Sequence, residues 1–125
     1  MRRLSSREFD RAVQRAILRI PPPIRKHLDN VVISVQKRPP PELLEEMGLP
    51  PDEPLLGVYT GASLMERSHF DMLQYPDTIQ IFQEPLEEMC ETLDELEEEI
   101  EITVVHEVAH FIGMTEEELY ELGYE

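Results

Sequence analysis

The sequence contains a single cysteine, Cys90, and no apolar run approaching the roughly 20 residues that a membrane-spanning helix needs. One thiol excludes an internal disulfide framework and any cysteine-rich zinc module, in keeping with a reducing compartment. The first residues also lack the apolar stretch of a signal peptide, so the expectation is a cytoplasmic protein without a membrane partner. Basic residues are nearly missing beyond position 38: Arg67 alone stands there against 24 acids, whereas residues 1–38 hold ten of the eleven Lys and Arg. A formal charge of −16 makes nucleic acid an unexpected partner, because the chain as a whole repels phosphate. The basic segment is instead expected to dock on the acidic remainder.

What the chain does have is enough apolar material for one core, at 41% hydrophobic over 125 residues, and a single domain over 1–125 is expected. Ser5 and Glu8 have capping-box spacing, and Phe9, Val13, Ala16, Ile17 and Ile20 recur on one helical face up to Pro21-Pro22-Pro23. A helical turn over 24–28 precedes the β-branched strand 31–36, and Glu42 to Met47 reads as a short helix stopped by Gly48. Strands are predicted at 55–60 and 78–83, the latter ended by Pro85. Thr92 and Glu95 open a helix over 93–112 that stops at Gly113, and Thr115 with Glu118 starts a last short helix through Leu122. Strands followed by a long helix predict an α+β fold, with the three strands forming a sheet against helix 93–112.

Chemistry concentrates in the second half of that helix. Between 102 and 112, Ile102, Val104, Val105, Val108, Ala109, Phe111 and Ile112 are apolar, which predicts a buried segment. The exceptions, Thr103, His106, Glu107 and His110, fall within one stripe about 100° wide at about 100° per residue. His106-Glu107-Val108-Ala109-His110 is an HExxH motif. Its two imidazoles, one turn apart, can ligate one zinc ion, while the glutamate reaches a water held there. Catalytic zinc takes a third protein ligand. Gly113 allows the backbone to turn back under the metal, which favours Glu116; Glu117, Glu118 and His69 are the alternatives.

The chain resembles the small minimal zincins, zincin-like zinc metallopeptidases, over nearly its whole length. The resemblance lies in Leu56-Gly57-Val58-Tyr59-Thr60-Gly61 with Arg67 shortly after, in Asp77 to Phe82, and in Thr103 to Thr115 around the motif. It implies a small mixed sheet packed on the HExxH helix. Where this chain has Glu116 the family commonly has aspartate, one methylene shorter. Larger metzincins place histidine there and add a downstream methionine turn, for which Met114 comes too early.

These readings make the protein a zinc-dependent peptidase acting on peptide or protein substrates, with His106, His110 and Glu116 on zinc and Glu107 as general base. The rival is a non-catalytic zinc-binding or interaction domain, whose metal site would be closed by a fourth protein ligand. From Glu84 onward there are 16 acids and no Lys or Arg, so basic or neutral extended peptides are expected, added along an exposed strand edge such as 78–83. Cys90 is expected to be a half-buried or surface thiol, and Tyr59, Tyr75, Tyr120 and Tyr124 to serve in packing, any oxyanion role being unassigned by spacing.

Overall fold

The structure, a computed structural model, describes residues 2–61 and 77–124. Helix α1 (Ser6–Leu18) opens on the expected capping box: Ser5 Oγ accepts the Glu8 N–H at 3.1 Å and the Glu8 carboxylate accepts the Ser5 N–H at 3.0 Å. It ends two residues before Ile20, because Ile20 precedes Pro21 and proline disfavours helical backbone in the residue before it. Ile20 is nonetheless buried, delivered to the core by the turn that follows. Helix α2 (Pro22–Arg25) and a 3-10 turn (Lys26–Leu28) lead into strand β1 (Val31–Gln36), and helix α3 (Pro41–Glu46) precedes strand β2 (Gly57–Thr60).

Strand β3 (Asp77–Phe82) lies in the middle of a three-stranded mixed sheet, parallel to β1 and antiparallel to β2. Both of its edges are therefore paired, so the 78–83 stretch offers no free edge for an added peptide. Gln83, expected to close the strand, starts helix α4 (Gln83–Met89) instead. Pro85 does not prevent this helix, since first-turn N–H groups lack an intrahelical acceptor and the missing donor leaves no bond unmade. Cys90 follows α4 and is only 2% exposed, not a surface thiol; burial pushes it up to about 11, with Glu99 and Glu95 adding to the shift.

Helix α5 (Leu93–Ile112) lies between α1 and the sheet. Thr92 Oγ1 accepts the Glu95 N–H at 3.1 Å, but the Glu95 carboxylate turns to the Glu91 N–H, so only half of the expected capping box forms. At the other end Gly113 has φ 77°, and the Met114 N–H reaches back to the Ala109 carbonyl at 2.8 Å, the closing bond of a Schellman cap. Phe9, Ala12, Val13 and Ala16 of α1, Leu96, Ile100, Val104 and Val108 of α5, and Ile79 and Ile81 of β3 share one core. Helix α6 (Glu116–Glu121) closes the described chain, with Leu119 and Tyr124 buried beneath it. Among the described residues no helix is long and apolar enough to cross a membrane.

The basic segment does dock on the acidic one. Arg15 pairs with Glu97 at 2.9 Å, Arg19 with Glu101 at 3.0 Å, and Glu84 receives both Arg3 and Arg38. The arginines remain largely exposed, so these pairs add little stability.

Gly57 is the tightest approach in the sheet. A Cβ there would stand 2.8 Å from Thr103 Cγ2 on α5 and 3.0 Å from the Gln80 carbonyl oxygen. Gly57→Ala is expected to lower stability by about 1–3 kcal/mol through overpacking, as measured by urea denaturation. Adding Thr103→Ser, which removes the nearer methyl, is expected to restore part of that loss.

Candidate active site

The site forms where α5 runs alongside β2. The Phe82 N–H bonds the Leu56 carbonyl at 2.9 Å, so in the alternating antiparallel pattern Val58 and Thr60 pair with β3 while Gly57 and Tyr59 turn their main-chain polar groups to the open side. Helix α5 meets that side with Thr103, Glu107 and Phe111, each four residues apart. Thr103 abuts Gly57, the Glu107 Oε1 accepts the Tyr59 N–H at 2.8 Å, and the Phe111 ring stacks on the Tyr59 ring with centroids 4.1 Å apart and planes 13° from parallel. The match is geometric: four helical residues advance about 6 Å and two strand residues about 6.8 Å.

His106 and His110 stand next to this contact line on the same helix, with ring centroids 6.3 Å apart and planes 21° from parallel. His106 is half-buried and His110 is exposed. The segment is not buried throughout, as its composition suggested: Val104, Val105, Val108 and Ala109 are, but Phe111 is 55% exposed and Ile112 38%. The burial boundary runs through the motif, leaving the His110 end open.

Two imidazoles one turn apart, with a carboxylate fixed between them in sequence, fit zinc in donor chemistry. The third donor is not assembled with them: among the described residues no group of three or more His, Cys, Asp or Glu side chains is gathered as a metal cluster. Glu116 is the exposed first residue of α6. Glu118 is occupied in a capping box, its carboxylate accepting from the N–H and the hydroxyl of Thr115, both at 3.0 Å; these bonds hold its carboxyl below the usual range. Glu117 is exposed, and His69 lies outside the described residues, as do Arg67 and Tyr75.

Residue spacing offers no reason to single out Tyr59, Asp77 or Phe111 for this site. The Tyr59 hydroxyl donates to Asp77 Oδ2 at 2.8 Å, at the start of β3, so the residue whose N–H holds Glu107 is itself fixed at one ring face and at its tip. Gly61 leaves room for this cluster, since a Cβ there would come within 3.3 Å of the Phe111 ring and 3.6 Å of Asp77 Oδ1. Of the other tyrosines, Tyr120 is 68% exposed, and Tyr124 donates to Glu101 at 2.5 Å on α5, ahead of the motif.

The family model of the zincin-like metallopeptidases matches residues 28–124. No curated protein matches the chain.

The Tyr59–Glu107 bond can be tested apart from any activity. Glu107→Gln keeps an acceptor for the Tyr59 N–H and is expected to leave stability nearly unchanged. Glu107→Leu strands that donor in a half-buried place and is expected to cost about 1–3 kcal/mol in chemical denaturation.

Proposed function

The chain belongs to the zincin-like metallopeptidases, and from that membership we propose that it hydrolyses peptide bonds with zinc held by His106 and His110, Glu116 completing the ligand set. One observation carries the reading: Glu107, anchored through Oε1 to the Tyr59 N–H, lies on the helix that presents the two imidazoles one turn apart. Zinc, when bound, acidifies water and polarises a carbonyl group. Glu107 then acts as general base through Oε2, the oxygen that the Tyr59 N–H leaves free. It takes a proton from the attacking water and delivers it to the nitrogen of the leaving amine. His106 and His110 would hold the metal through ring-nitrogen lone pairs, and the open His110 end admits an extended chain. The acidic surroundings favour basic or neutral peptides over acidic ones.

Glu107→Gln is expected to retain zinc, measured by elemental analysis, while turnover of a peptide library falls by at least about 100-fold, the usual contribution of a general base. Full activity in that variant refutes the mechanism, and zinc retained without turnover in the wild-type protein identifies the non-catalytic zinc-binding domain. Glu116→Ala is expected to weaken zinc by at least about tenfold while Glu117→Ala does not. Equal effects of the two variants remove Glu116 from the ligand set.

A further inference from the structure

Arg3, Arg7, Arg11, Arg15 and Arg19 recur at strict four-residue intervals along and around α1. On α5, Glu97 and Glu101 share that interval, and they take Arg15 and Arg19. Carried one step back, the ladder sets Arg11 against Leu93, which has no charge to offer. Arg11 accordingly forms no ion pair or hydrogen bond among the described residues, and it lines a cleft of about 460 Å³ with Arg2, Leu4, Glu8, Arg15, Glu91 and Leu93.

Donor capacity in this cleft exceeds acceptor capacity. Glu8 is spent, with Oε1 on the Ser5 N–H and Oε2 on Arg2 Nη2. Arg15 uses its Nε on Glu97, leaving its terminal nitrogens, and Arg2 keeps its other terminal nitrogen. Arg11 keeps its whole guanidinium fork. Glu91 alone offers an uncommitted carboxylate there, and it pairs with none of the three. Three partly or wholly free guanidiniums suit an acceptor with several oxygens and two negative charges. Leu4 and Leu93, the latter 42% exposed, supply an apolar wall beside them.

We propose that this cleft binds a small ligand carrying a phosphate monoester on an apolar body, at a site separate from the HExxH helix end. The overall charge opposes long polyanions, but a single phosphate interacts chiefly with charges inside a Debye length, about 8 Å at physiological salt. All three arginines precede residue 28, where the family match begins, and none belongs to the peptidase site.

Calorimetric titration of the full chain with phenyl phosphate, in a phosphate-free buffer at low ionic strength, tests the proposal. Saturable one-to-one binding is expected, tighter than that of inorganic phosphate or benzoate, which lack respectively the apolar body and the second charge. Arg11→Ala is expected to raise Kd about tenfold or more, as loss of charge-assisted hydrogen bonds does. Arg7→Ala, an exposed member of the same stripe outside the cleft, is expected to change it far less, and Glu91→Gln to lower it. Absence of saturation in the millimolar range, equal weakening by Arg7→Ala and Arg11→Ala, or benzoate binding as tightly as phenyl phosphate overturns the assignment.

Discussion

The fit of α5 along the open side of β2 is the constraint on which the site depends. A helix and a strand seldom stay in step, but here three contacts succeed one another at four-residue steps on the helix, at Thr103, Glu107 and Phe111. A large side chain at 57 would push the helix away at the first contact, which is why glycine stands there. A residue without an acceptor oxygen at 107 would leave an open-side N–H of β2 unpaired. The last contact ties the helix to the Tyr59 ring, which Asp77 holds from β3. The orientation of Glu107 is thus set by backbone and packing together, and the imidazoles at 106 and 110 inherit their direction from the same register.

The opposite flank of α5 is fixed by different physics. Apolar residues of α1 pack into the shared core, and the surface pairs Arg15–Glu97 and Arg19–Glu101 align the two helices along one four-residue repeat. Each pair is weak in water, and because the arginine repeat runs on to Arg11 a slip of one turn could keep two pairs, so the register of the two helices rests on their shared apolar core. The acidic excess of the chain is therefore partly a docking surface for its own basic segment. Where the acids run out at Leu93, the basic repeat continues unmatched.

Much of this was legible in the sequence because the signals were local. Ser5 and Glu8, Thr115 and Glu118, and Gly113 act within a turn of chain, and each caps a helix as its spacing predicted. The α+β class and the helix bearing His106, Glu107 and His110 follow from periodicity. The misreadings arose where a second element decides the outcome. Helix α4 hid behind Pro85, whose breaking effect vanishes in a first turn. The order of strands, which puts β3 in the middle, depends on pairing across long separations that no single segment encodes. Cys90 is buried because α4, unexpected in itself, carries it inward. Tyr59 enters the site through its backbone N–H, and a side-chain pattern is silent about that.

The asymmetry between the two carboxylates of the proposed site follows from how each is attached. Glu107 lies in the last third of α5, the longest helix among the described residues, and is bonded to the sheet, so its position is determined before any metal arrives. Glu116 lies beyond Gly113, whose left-handed backbone ends α5, and before Leu119, which anchors α6 in the core. Its backbone is therefore held at both ends while its exposed side chain keeps its rotamer freedom, which costs on the order of 1.5–2 kcal/mol to remove for a glutamate. The general base proposed at Glu107 needs fixed geometry at the moment of proton transfer, and the bond to the sheet is of the kind that supplies it. A metal ligand can be ordered by the ion it binds, so a side chain left free at position 116 is compatible with the ligand role proposed for it.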